Sequence, residues 1–119
     1  MFTITCESTV DLPLEYLKKR NCDAVCYSYF IGTEERVDHM QNTPETLEKF
    51  YKDLEEYKPT TSQIGGELYK DFFRAHLSEG NLLHLAFGSG MSQSVFNAMK
   101  AADEINAEVG KKVITVIDT

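Results

Sequence analysis

The chain has 119 residues, enough for one domain, and its 42% apolar and 11% aromatic content can fill a single packed core. With 19 acidic against 12 basic residues and a net charge of -7, its surface repels phosphate backbones and anionic headgroups, so nucleic acid and stable membrane insertion are not expected partners. The longest apolar runs, LLHLAF and VITVI, fall far short of the roughly 20 residues that span a bilayer, and nothing at the N-terminus reads as a signal peptide.

In chain order, Phe2 to Cys6 (FTITC) reads as a short strand running into ESTVDLP, where Asp11 is placed to cap a helix with Pro13 in its first turn. That helix ends near Asn21, and DAVCYSYFIG follows as one strand. Gly32, Thr33 and Glu34 turn the chain into EERVDH, which predicts a small antiparallel hairpin. Thr43, Pro44 and Glu45 combine a capping threonine, a first-turn proline and a first-turn acid; Leu47, Phe50, Tyr51 and Leu54 then form one apolar face expected to pack in the core. After YKPTTSQIGG, a loop by composition, a third helix carries Leu68, Phe72 and Ala75 on one side and stops at Gly80.

NLLHLAF reads as a strand buried on both faces, with His84 a hydrogen-bonded core histidine. Val95, Ala98, Met99, Ala102 and Ile105 define the last helix, Gly110 ends it, and KKVITVID is another buried strand. The alternation predicts an α/β domain, a three-layer arrangement of a parallel sheet with helices on both faces and a small hairpin insertion. Ligands in such sheets bind at the carboxyl ends of the strands, so ESTVD, PTTSQ and GSGMSQS are the candidate loops. Cys6, Cys22 and Cys26 are odd in number and lack CxxC spacing; they read as small buried apolar residues in a reducing, cytoplasmic setting. A metal set would need His39, His76 or His84 to join them.

GSGMSQS, residues 88 to 94, admits three readings. As a nucleophile elbow it lacks the second glycine, and no histidine follows His84, so a triad in the elbow order cannot be completed within this chain. As an anion cradle it offers Gly88 and Gly90 for close backbone approach, serine hydroxyls, and the first N–H groups of a helix starting near Ser92. It has neither the lysine of a phosphate loop nor a GxGxxG pattern, so a single oxyanion suits it better than a nucleotide, and no cofactor is implied. As a plain connection, Ser92 simply caps the helix.

Taken in order, CESTVDLP (6 to 13), KPTTSQIGG (58 to 66), GSGMSQSVFNA (88 to 98) and VIDT (116 to 119) resemble the T-D-S-T-x-D-L-P, K-T-S-Q-P, S-S-x-L-S-G-T-Y and V-I-D-S motifs of the DegV family. The match spans the whole chain, and it implies residues 1–119 as the N-terminal α/β domain of a two-lobed fatty-acid carrier, with the C-terminal lipid-binding lobe absent. VITVIDT stopping at a strand tip gives the same expectation of a truncated chain. The resemblance implies a long-chain fatty acid as ligand, a separate fatty acid kinase subunit as partner, and no catalysis by this protein. Carried over by position, it assigns carboxylate contacts to Thr61 and Ser92, with Ser62, Gln63, Ser89, Gly90, Gln93, Ser94 and Ser8 in the surrounding loops.

Four departures stand out: Cys6-Glu7 for Thr-Asp, Ile64-Gly65 for Pro-Ser, Gly88 for the first serine of the pair, and Gln93 for glycine. An acyl hydrolase or transferase using Ser92 with a base from elsewhere, and a regulatory domain with a vestigial anion site, are the alternatives.

Overall fold

A computed structural model describes residues 2–41, 43–77 and 80–119. Strands β1 (Phe2–Glu7), β2 (Asp23–Val25), β6 (Asn81–Ala86) and β7 (Ile114–Asp118) form a parallel sheet in the order β2-β1-β6-β7. Thr5 stands opposite Asp23 on one side and His84 on the other, and His84 opposite Val116. A second, antiparallel sheet has the order β4-β3-β5, from β3 (Ser28–Ile31), β4 (Glu34–Val37) and β5 (Pro59–Thr61). Helices α1 (Leu14–Lys19), α2 (Pro44–Glu56), α3 (Gly66–His76) and α4 (Ser94–Val109) complete the chain.

The expected hairpin is present, with Gly32 at φ +63° in the two-residue turn between Ile31 and Glu34. The single strand expected over DAVCYSYFIG is instead two strands in different sheets. At the break the Tyr27 amide donates to Ser8 Oγ at 2.9 Å and the Tyr27 carbonyl accepts from the Asp38 amide at 2.8 Å, so its backbone groups are satisfied outside the parallel ladder. The loop expected over KPTTSQIGG also contains a strand: β5 opens on Pro59, a residue tolerated at the start of an edge strand, and sets Thr61 opposite Tyr29.

Capping follows the sequence in part. Thr43 Oγ1 accepts from the Thr46 amide at 3.2 Å while Thr46 Oγ1 accepts from the Thr43 amide at 2.8 Å, a reciprocal cap on α2. Asp11 caps nothing; it closes the 3-10 turn Ser8–Val10 in the left-handed region, and Pro13 flanks α1. Gly110 ends α4 at φ +82° as expected. Gly80, the expected stop of α3, also has positive φ, but α3 is already finished at His76. Residues 78 and 79 between them lie outside the described residues.

One face of the parallel sheet is sealed by α3 and α4, where Tyr69, Phe73, Ala98, Ala101, Ala102 and Ile105 pack on Leu82 and Ile114. Tyr69 and Phe73 are the fully buried side of α3, and of the expected residues Phe72 packs partly against that core while Ala75 is exposed; Leu68 is half exposed because it lies one position off the stripe that meets the sheet. On the other face α1 sets Leu17 against Cys6. Leu85 and Ile117 on that face stay 37% and 40% exposed, so the expectation that these strands are buried on both faces fails there. All three cysteines are free thiols, but only Cys6 is buried; Cys22 and Cys26 are half-buried.

The largest departure is α2. None of its residues is buried, and Leu47 and Tyr51 are 41% and 64% exposed. It is held beside the small sheet by Arg36, which bridges Glu34 and Asp53, and by Phe50 edge-on to Tyr29, so its apolar face never reaches the core. On urea denaturation of the intact protein, Phe73→Ala should lose about 3–5 kcal/mol, whereas Leu68→Ala and Leu47→Ala should lose no more than about 1 kcal/mol each. Comparable losses at all three positions would contradict this division of core and surface.

Candidate functional site: a cleft over a buried carboxylate

In the sheet order β2-β1-β6-β7 the connections leaving β1 and β6 diverge, and in open α/β sheets that switch point is where a crevice forms beyond the carboxyl ends of the strands. The last residue of β1 there is Glu7, only 1% exposed. A buried carboxylate is costly unless its lone pairs are met, and four donors meet these. Oε2 accepts from the Tyr69 hydroxyl at 2.6 Å and His84 Nε2 at 2.9 Å; Oε1 accepts from the Phe87 amide at 3.1 Å and the Tyr27 hydroxyl at 3.2 Å. Burial pulls the Glu7 carboxyl upward, yet the bonds from His84, Tyr69 and Phe87 outweigh it and hold the group below its ordinary value. Burial raises both phenols, Tyr27 and Tyr69. His84 is fully buried and satisfied on both ring nitrogens, since Nδ1 lies 2.9 Å from Thr5 Oγ1. This is the core role expected of it.

From Glu7 the polar network runs outward to the serine loop. The Tyr27 hydroxyl also lies 3.4 Å from Ser92 Oγ, and Ser92 Oγ lies 3.1 Å from Ser94 Oγ. Ser94, fully buried, accepts from the Ile64 amide at 3.0 Å, and Asn97 Nδ2 donates to the Ile64 carbonyl at 2.9 Å. The two hydroxyl loops are thus bolted together behind the surface. The loop is pinned at its other end by the last motif: Asp118 Oδ1 accepts from the Ser89 amide at 2.7 Å, the Ser89 side chain and amide together hold the Asp118 carboxyl low, and Thr119 Oγ1 donates to the Ala86 carbonyl at 2.8 Å. A Cβ on Gly88 would meet the Thr119 backbone at 3.1 Å, so this glycine serves the loop's own packing and not, as expected, a ligand.

Above these groups lies an open cleft of about 1090 Å³. Thr61, Ser62 and Gln63 from one loop and Ser89, Gly90, Ser92 and Gln93 from the other line it together, as the sequence led one to expect. Ser94 and Ser8 do not line it. Both are buried behind it, Ser94 in the joint to Ile64 and Ser8 as the acceptor for Tyr27 N. Helix α4 begins at Ser94 rather than near Ser92, with Gln93 at the cap position making no side-chain cap bond. Ser92 Oγ instead accepts from the Ser94 amide at 3.1 Å, so one of the helix donors assigned to a ligand is already engaged.

Sequence reasoning missed the opposite wall. Val37, Met40, Leu47 and Phe50 line the cleft with Tyr27 and Tyr29, so two of the four apolar α2 residues expected in the core are cleft lining. The signal available was that face's place between two polar loops in a segment flanked by turns. Glu7 was legible only as a departure from a motif. Among the described residues of the lining, His39 is the one side chain that can carry positive charge, with no lysine or arginine, and Asp38 beside it is an acid. Hydroxyls and amides can hold a singly charged oxyanion, but little here balances a phosphate dianion. Ser92 is bonded to Tyr27 and Ser94, and neither is a general base at neutral pH, so the geometry does not activate it as a nucleophile.

A family model described as an uncharacterised protein, DegV family, matches residues 1–119. The chain belongs to the DegV family. The DegV domain-containing protein YteA of Lactococcus lactis is 31% identical over 99% of the chain. The chain spans 41% of that relative's length. A stearic-acid-binding protein from Eubacterium ventriosum superposes with a TM-score of 0.84 at 27% identity, over 99% of this chain and 41% of that one. A DegV family protein from Thermus thermophilus, described by its fatty acid binding, gives 0.80 at 29% identity, over 98% and 40%. Among the described residues no helix is long and apolar enough to cross a membrane.

The sign of the Glu7 shift makes a testable statement for this DegV chain. Because its folded-state value is depressed, Glu7 contributes stability that is fully present above the unfolded value near 4.5 and is lost as the pH falls through and below it. Glu7→Gln should cost about 1–3 kcal/mol at pH 7 and flatten the acid limb of the stability profile, read by urea midpoints from pH 7 to pH 3. An unchanged acid limb would contradict the buried, donor-saturated carboxylate.

Proposed function

We propose that this chain is the headgroup-binding lobe of a fatty-acid carrier. Thr61 and Ser92 hydrogen-bond the carboxylate, and the bound acid is presented to a separate fatty acid kinase. One observation carries the reading: two hydroxyl loops from distant parts of the chain share one cleft whose opposite wall carries an apolar strip of Val37, Met40, Leu47 and Phe50 among polar neighbours. That is the pairing a long-chain acid demands, a few directional donors for one end and carbon surface for the rest. Ser62, Gln63, Ser89, Gly90 and Gln93 complete the mouth, with Gln93 supplying an amide where the family motif has glycine. Each acyl CH₂ taken from water contributes about 0.8 kcal/mol, so affinity rests chiefly on how much of the chain is covered, and the headgroup contacts set orientation. The fatty acid binding described for the relatives from Eubacterium ventriosum and Thermus thermophilus supports the reading.

Lipid extracted from the intact protein and analysed by mass spectrometry should contain long-chain fatty acid, and the Thr61→Ala, Ser92→Ala double variant should bind it about 100-fold more weakly, two charge-assisted hydrogen bonds being lost. Equal occupancy in both proteins would remove the site assignment. Kinase presentation is checked separately: with ATP and its cognate kinase the loaded protein should yield acyl phosphate, and no product from a loaded protein would end that part of the reading.

A further inference from the structure

Glu7, His84 and Thr5 form a buried acid–imidazole–hydroxyl chain beneath the cleft, and hydrogen bonds through Tyr27 connect it to Ser92. We infer that the Glu7–His84 pair is the charge-compensating element of the headgroup site: binding a carboxylate in the cleft is coupled to uptake of one proton by the pair. The inference rests on the carboxylate reading above and adds the regulation of that site.

Three observations carry it. First, Glu7 is a donor-saturated anion, and among the described residues no lysine or arginine bonds to it; its ionisable neighbours are His84 and the two phenols. Cys6, beside it on β1, is a neutral thiol pushed up to about 12 by burial. Second, Ser92 lies two hydrogen-bond steps from Glu7, at 3.2 and 3.4 Å. A carboxylate held by Ser92 therefore sits within about 10 Å of a second negative charge, a separation at which charges on either side of a partly buried wall still interact. A nearby anion favours a proton on the neighbouring pair. Third, the site holds the ring in either state. With Nε2–H directed at Glu7, the Thr5 hydroxyl donates to Nδ1 of the neutral ring; when Nδ1 is protonated, the same hydroxyl rotates and accepts from it. The contact between Thr5 Oγ1 and Nδ1 is kept in both states. The groups packed on His84 are otherwise the rings of Tyr69, Phe72 and Phe73 on α3, none of them charged at neutral pH.

The test is calorimetry of dodecanoate binding to the intact, delipidated protein at pH 7 in two buffers of different ionisation enthalpy, with dodecanol as the uncharged probe. Dodecanoate should take up between about 0.5 and 1 proton per molecule bound and dodecanol none, with the His84 ring resonances moving to imidazolium positions as dodecanoate is added. Thr5→Val keeps the buried volume and leaves Glu7 in place but removes the acceptor for Nδ1–H; it should reduce the uptake at least twofold and shift binding of dodecanoate more than that of dodecanol. Uptake located on His39 in the cleft wall, uptake unchanged by Thr5→Val, or binding without uptake would each overturn this inference alone. Failure of dodecanoate to bind would remove the carboxylate reading and this inference with it.

Discussion

The arrangement of the site depends on one buried anion. Glu7 sits at the end of β1, and its four donors come from four other parts of the chain: α3, β6, the loop after β6, and the crossover between the two sheets. A carboxylate in that position is tolerable only when every lone pair is engaged, so the requirement to satisfy it fixes where Tyr27, Tyr69, His84 and the Phe87 amide must be. Since Tyr27 begins the path into the small sheet and Phe87 begins the serine loop, meeting the needs of one charge sets both sides of the cleft.

The four motifs divide the labour in a way their spacing does not announce. CESTVDLP supplies the buried anion and an acceptor for the crossover, Ser8, and contributes nothing charged to the cleft surface. The PTTSQ and GSGMSQS segments supply the hydroxyls, and behind them the Ser94–Ile64 bond ties the two loops together. VIDT works as a clamp, with Asp118 and Thr119 holding the base of the serine loop from the neighbouring strand. Serines both touch the cleft and buttress it, and only burial separates Ser92 from Ser94.

What was legible in the sequence was periodic or capped. The 3.6-residue stripe of Val95, Ala98, Ala102 and Ile105, the Thr43 cap and the Gly32 turn each rest on local chemistry that no tertiary contact overrides. What failed was set by long-range competition. DAVCYSYFIG has one continuous strand pattern, and the break at Tyr27 exists because a hydroxyl on another segment, Ser8, takes its amide. The α2 stripe was correctly read as apolar and wrongly assigned to the core, because periodicity gives the direction of a face along a helix and nothing about what stands opposite. Glu7 was invisible as a hub for a similar reason: its donors lie 20 to 80 positions away.

Helix α2 has a consequence for how such a protein can change. The helix meets the small sheet through the Arg36–Asp53 pair and Phe50 edge-on to Tyr29, while the α3–α4 core forms without it. Substitutions along Leu47 and Phe50 therefore alter the shape of the cavity at little thermodynamic cost to folding. Stability and cleft shape are written in separate sets of residues, so drift can explore one while selection holds the other constant. A lineage can reshape the cleft without first acquiring a stability reserve to spend on the change.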